Sequence, residues 1–141
     1  MIAIRPAAPG DAPTVEALLA QLGYRMPASE LHRRLRASSA SETDAVLVAT
    51  MDGRMVGLIA LHWATMLHQP APTARIATLV VADDARGRGV GRTLVEAGAE
   101  AARRAGCAIL ELTTALHRAD AVAFYEAIGF TASSTRLHRA L

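Results

Sequence analysis

The stretch Arg86-Gly87-Arg88-Gly89-Val90-Gly91 lies between an apolar run and a helical pattern, and its residue types and spacing suit it to hold a phosphate. Glycine reaches positive φ at no steric cost and lets the backbone come close to a ligand. A helix starting near Gly89 would add unpaired N–H groups and the positive end of its dipole, while Arg86, Arg88 and Arg92 add full charges. A small molecule bearing a pyrophosphate fits this chemistry. A Walker A loop is excluded because the chain contains no lysine. A dinucleotide fingerprint is excluded because Arg92 stands where its third glycine is needed. The bland alternative is a glycine-rich strand-to-helix turn on a basic surface.

Other reactive side chains form no constellation. Five histidines and one cysteine are scattered without metal-ligand spacing, so no metal is expected. Cys107 opens an apolar stretch and reads as a packing residue rather than a nucleophile. Ser133, Ser134 and the remaining serines have no triad setting. Trp63 either packs or lines an acceptor side.

The elements that would position the loop follow from periodicity. Ile2–Arg5 alternates weakly and stops at Pro6, as a short strand does. Gly10-Asp11 starts a helix with apolar positions at Val15, Leu18, Leu19 and Leu22, closed by Gly23, and a second short helix follows from Ser29 with Leu31 and Leu35. Asp44–Met51 and Met55–Thr65 read as strands joined by the Asp52-Gly53 hairpin signal. Pro70 and Pro72 break the chain before a third strand, Arg75–Ala82. Gly89–Ala105 is helical, Cys107–Thr114 is a short strand suited to burial on both faces, Ala119–Ile128 is a last helix, and Thr131–Leu141 reads as an edge strand. The order β-α-α-β-β-β-α-β-α-β describes an α/β chain with a mostly antiparallel, twisted mixed sheet, one parallel βαβ step and helices on both faces.

Composition bounds the function. At 141 residues the chain fits one domain, expected to span residues 1–141. Hydrophobic residues make up 52%, yet no apolar run reaches the about 18 residues that span a bilayer. Met1-Ile2-Ala3-Ile4-Arg5-Pro6 lacks a charged-then-apolar signal architecture, and a lone cysteine cannot form an internal disulfide, so a reducing cytoplasm is the expected setting and no membrane partner is expected. The net charge of +2 and a pI near 9.3 raise the question of nucleic acid. With only 4% aromatic residues and arginines spread along the chain, there is neither stacking platform nor basic stripe, and no nucleic-acid partner is expected.

The arginine, two residues, glycine, one residue, glycine pattern of Arg86, Gly89 and Gly91 after Leu79-Val80-Val81 resembles the acetyl-CoA motif of the GNAT superfamily of N-acetyltransferases. A second segment, Ala121-Val122-Ala123-Phe124-Tyr125-Glu126-Ala127-Ile128-Gly129-Phe130, resembles that superfamily's Phe-Tyr and Gly-Phe motif. The hairpin Asp52-Gly53-Arg54-Met55-Val56-Gly57 resembles a third. The three lie in family order and together cover most of the chain.

The resemblance implies the acyl-CoA N-acyltransferase fold and acetyl-CoA as co-substrate. It implies that strands Arg75–Ala82 and Cys107–Thr114 splay to admit the pantetheine arm. Backbone groups of Leu79 and Val81, with Val80 between them, would pair with it, and one N–H would serve as oxyanion donor. Arg86, Gly87, Arg88, Gly89, Val90, Gly91 and Arg92 would hold the pyrophosphate, and Phe124 would line the cofactor. Arg118 stands where relatives often carry asparagine, and it either approaches a CoA phosphate or caps a loop. Tyr125 aligns with the family tyrosine near the sulfur, a phenol still protonated at neutral pH and able to protonate the leaving thiolate; its bland reading is a core aromatic. Many relatives place a glutamate in the fourth strand as base, whereas Ile76-Ala77-Thr78-Leu79 has no carboxylate. The base is thus left open among Glu111, His62, His117 and water. That gap motivates the competing expectation of a non-catalytic acyl-CoA-binding sensor. The acceptor would be lined by 10–39, 66–74 and 131–141, where acidic residues are few, chiefly Asp11, Glu16 and Glu30. A small amine or a peptide N-terminus therefore fits better than a polycation. A tail with one strand suggests a homodimer through an exposed edge.

Overall fold

Apolar alternation and one tight turn set up the sheet. In a computed structural model of the chain, which describes residues 1–114 and 119–141, the elements run β1 (Ile2–Pro6), a 3-10 turn at Pro9–Asp11, α1 (Ala12–Ala20), α2 (Ala28–Ser39), β2 (Asp44–Met51), β3 (Arg54–Ala64), β4 (Thr73–Val81), α3 (Val90–Arg104), β5 (Ile109–Glu111) and α4 (Ala119–Ala127). The strands lie side by side in the order β1-β2-β3-β4-β5. The first three pairings are antiparallel and β4–β5 is parallel, the geometry that a helical crossover through α3 requires. Asp52 and Gly53, with φ of 53° and 77°, make the two-residue β2–β3 turn that the Asp-Gly pair predicts.

The faces of the sheet follow from side-chain contacts. A Cβ on Gly98 of α3 would lie 3.0 Å from Ile59 Cδ1 and 3.3 Å from Leu61 Cδ2, so these two β3 residues face α3. Leu58, one residue out of phase, faces the other way, toward the side on which α1 packs against β3 and α2 against β2. A Cβ on Gly57 would meet Leu94 Cδ1 at 2.9 Å and the Val80 carbonyl oxygen at 3.0 Å. Glycine at both points is what lets α3 sit directly on the sheet. Ile59, Leu94, Val48, Val56 and Val90 are fully buried in the core so formed, each worth about 1.5–3 kcal/mol.

The C-terminal third departs from expectation. The strand expected over Cys107–Thr114 is only Ile109–Glu111, and Ile109 is 49% exposed rather than covered on both faces. Thr131–Leu141, expected as an edge strand, carries no strand and is exposed throughout. β5 pairs with β4 over only three residues, so it offers the tail at most a short ladder. The tail sequence, with Ser133, Ser134 and Thr135 at its centre, has no apolar face to bury against the sheet. The tail through which pairing with a second copy was expected thus carries no strand. Among the described residues no helix is long and apolar enough to cross a membrane.

Candidate active site

The sheet opens between β4 and β5. The parallel pairing covers only Thr73↔Ile109, Ala74↔Leu110 and Arg75↔Glu111, after which β4 continues to Val81 with no described strand on that side. Near the start of the gap β4 carries a bulge. Ala60 pairs with Thr78 and Leu61 with Ile76, leaving Ala77 as the extra residue, and a bulge bends a strand and re-aims its backbone. Beyond it the direction of the backbone groups is fixed. The Ala82 N–H donates to the Val56 carbonyl at 2.7 Å, toward β3, so Val80 also points that way. Because backbone groups alternate along a strand, those of Leu79 and Val81 point into the gap. Val80 itself is buried, while the side chains of Leu79 and Val81 are half-buried.

The glycine-arginine loop leads from the end of β4 into α3. Gly87 and Gly89 adopt φ of 78° and 81°, left-handed values that an L side chain rarely takes, and Gly89 is the N-cap of α3. The first bond from the backbone into the helix runs from the Thr93 N–H to the Gly89 carbonyl at 3.0 Å, and among the described residues no side chain caps the start. The N–H groups of Val90, Gly91 and Arg92 are therefore first-turn donors without helical partners. Val90 anchors the turn in the core, while Arg86, Gly87, Arg88, Gly89 and Arg92 are exposed. Arg86 pairs with Asp83 at 3.0 Å, and the Arg88 guanidinium rests 3.7 Å from the Met51 sulfur. The loop thus gathers donors and positive charge on an open surface.

Helix α4 closes over this corner. A Cβ on Gly91 would lie 3.2 Å from Phe124 Cζ and 3.7 Å from Val81 Cγ2, so the first turn of α3, the end of β4 and Phe124 converge at one point. Tyr125 packs edge-on against Phe124 at 5.1 Å between centroids and against Phe130 at 5.5 Å. These contacts fix its ring in an aromatic trio. Of the sequence-predicted residues, Leu79 and Val81 face the gap, Arg86–Arg92 form the loop into α3, and Phe124 meets Gly91 and Val81 there, with Tyr125 packed beside Phe124. Arg118 and His117 lie outside the described residues.

The candidate bases gather on the face turned away from α3. Leu61 and Ile76 are cross-strand partners on the α3 side, so their neighbours His62 and Arg75, also partners, project from the opposite face, together with Glu111. His62 is exposed. Glu111, 52% exposed, forms an ion pair with Arg75 at 3.5 Å. Trp63 is half-buried against the core. Burial pushes the Cys107 thiol up from its ordinary value, which keeps it protonated at neutral pH and agrees with a packing role. A cavity of about 460 Å³ lies apart from the gap, between α1 and Arg54, Met55 and Ala82–Asp84. Its two carboxylates, Asp83 and Asp84, disfavour a phosphate there. One cluster escaped the sequence reading: Arg75, Thr113 and Arg136 meet beside Glu111, and the only early signal was an arginine inside an apolar strand.

Comparison with known proteins fits this arrangement. The pattern of the acetyltransferase (GNAT) family matches residues 15–130. Over 94 residues the chain is 37% identical to an aminoalkylphosphonate N-acetyltransferase of Salmonella typhimurium, a match covering 67% of this chain and 61% of that protein. Among solved structures, a transcriptional regulator from Bacillus halodurans C-125 superposes with a TM-score of 0.89 at 28% identity over 100% of both chains. An inferred acetyltransferase from Agrobacterium tumefaciens str. C58 superposes with a TM-score of 0.88 at 31% identity over 99% of each. Gapped mixed sheet, glycine loop and helix start define an acyltransferase-type fold. The chain belongs to the acetyltransferase (GNAT) family.

Proposed function

We propose that this protein transfers the acetyl group of acetyl-CoA to a small primary amine by direct attack. The observation that carries the reading is the gap beyond Arg75 and Glu111, where among the described residues no strand pairs with the backbone of Leu79 and Val81, beside an anion-ready helix start. Pantetheine amides would pair with Leu79 and Val81 as an added strand, and the pyrophosphate would rest on Arg86–Arg92 and the first-turn N–H groups of α3. The neutral amine attacks the acetyl carbon, and a β4 N–H stabilises the oxyanion that develops. Collapse of the tetrahedral intermediate breaks the C–S bond, and Tyr125 gives its proton to the departing thiolate. The proton released from the amine passes to His62, Glu111, His117 or water. Of these, Glu111 is already engaged by Arg75, which favours one of the others. The Salmonella typhimurium relative, by name an N-acetyltransferase of aminoalkylphosphonates, supports a small amine over a peptide.

A second reading, an acyl-CoA-binding regulator without catalysis, is favoured by one observation: the Ile76–Leu79 stretch lacks a carboxylate. Thiol release from acetyl-CoA across a panel of small amines decides between them. The enzyme reading predicts amine-dependent turnover, with kcat falling by about 100-fold in Tyr125→Phe and KM for acetyl-CoA little changed. Acetyl-CoA binding with no amine-dependent release would establish the regulator instead.

A further inference from the structure

Two guanidinium groups meet at a single hydroxyl on the face of the sheet turned away from α3. Arg75 Nη2 donates to Thr113 Oγ1 at 3.0 Å, and Arg136 Nη1, arriving from the C-terminal tail, donates to the same oxygen at 3.1 Å. The two donor nitrogens are thereby held within about 6 Å of each other. Like charges so close repel, and a neutral hydroxyl does little to offset that. Among the described residues one carboxylate, Glu111, stands near, 3.5 Å from Arg75 Nη1, and Arg136 has none within ion-pairing distance. The Thr113 oxygen accepts from both arginines, which leaves its own proton to be donated outward. Two guanidinium forks and one hydroxyl donor form a receptor suited to an oxyanion.

The position of the cluster matters as much as its charge. Arg75 and Glu111 are the last pair before β4 and β5 part, so the cluster stands at the head of the gap. Leu79, whose backbone points into that gap, follows four residues later, roughly 13 Å along the strand. Arginine side chains reach several ångströms from their Cα atoms, and a short aminoalkyl chain spans the remainder. We propose that Arg75, Thr113 and Arg136 hold the acceptor's anionic group, so that the acceptor is a small primary amine carrying a phosphonate or carboxylate. This rests on the acetyl-transfer reading and narrows it. It also explains why the lining is poor in acidic residues: the site is built for a negative acceptor.

Ethylphosphonate, which carries the anion but no amine, separates the anion site from turnover. Titrated into the full chain and followed by phosphorus NMR, it should bind saturably, persist in saturating CoA, and weaken at least 10-fold in Arg75→Gln and in Arg136→Gln, with thermal melts confirming both variants folded. In the thiol-release assay, 2-aminoethylphosphonate or β-alanine should exceed a neutral amine of equal length by at least 10-fold in kcat/KM, and Arg136→Gln should erase the advantage; the comparison of the two tells phosphonate from carboxylate. Binding untouched by both substitutions, or displaced by CoA, overturns the assignment. Neutral amines turned over with no anionic preference overturn it while leaving acetyl transfer intact. Ethylphosphonate held by both arginines with no amine acetylated upholds the anion site and removes the acetyl-transfer reading.

Discussion

Under the proposed transfer, Tyr125 would serve packing and chemistry together. Its ring packs edge-on against Phe124 and Phe130, and a phenol so held would deliver a proton to one place. Asp11 plays the structural counterpart at the other end of the chain. Its carboxylate takes both Arg5 guanidinium nitrogens, at 2.8 and 2.9 Å, and the Ala8 N–H at 2.7 Å, pinning the start of α1 to β1. The hydrogen bonds from Arg5, aided by that from Ala8, hold the Asp11 carboxyl below its ordinary value. A carboxyl lowered by folding stabilises the fold above its unfolded pKa of about 3.9 and loses that contribution as pH falls through the folded value. Arg5 is 45% exposed, so solvent screening leaves about 1 kcal/mol for Asp11→Asn near pH 7. Thermal melts should show wild type and variant converging as the pH drops below about 4. A constant gap down to pH 2 would mean that charge is not the cause.

At the scale of elements, the two glycines beneath α3 decide whether the helix can reach the sheet. Gly57→Ala would set a Cβ 3.0 Å from the Val80 carbonyl oxygen, a backbone atom that cannot swing aside, and 2.9 Å from Leu94. The expected cost is about 1–3 kcal/mol, read as a lower midpoint in urea with an unchanged slope. An unaltered midpoint would show that α3 sits less tightly than described. The elements that position the site were legible because each carries its own local signal: Asp52-Gly53 for the hairpin, the Gly87 and Gly89 pair for the loop, the 3.6-residue period from Val90 to Ala102 for α3. The C-terminal part was not. Cys107–Thr114 is apolar enough for a buried strand, but where its pairing ends depends on β4 bulging at Ala77, and no local pattern encodes a bulge formed against a partner. Thr131–Leu141 reads as an edge strand, yet a strand needs a neighbour, and β5 ends at Glu111. The Arg75, Thr113 and Arg136 cluster stayed invisible for a related reason. Its members are separated by 38 and 23 residues in sequence and meet only through the parallel pairing and the course of the tail.

For the whole molecule, charge distribution is the informative quantity. Among the described residues no polar or charged side chain is buried, so the core is purely apolar and the chemistry is left to surface groups and the backbone. Arginines are spread over the surface, and two of their groups flank the gap, the Arg86–Arg92 loop at the start of α3 and the Arg75–Arg136 pair on the other face, while the net charge is only +2. Under the proposed function, these two groups would suit an anionic cofactor on one face of the opening and an anionic acceptor on the other. The central claim is that the opening and its loop receive acetyl-CoA. The most direct test is calorimetric titration of the purified chain with acetyl-CoA, alongside the double variant Arg88→Gln, Arg92→Gln, which alters only exposed side chains. Micromolar binding in the wild type, weakened at least 10-fold in the variant and falling with added salt, is the predicted result. Absence of binding, or binding indifferent to both arginines and to salt, would contradict it.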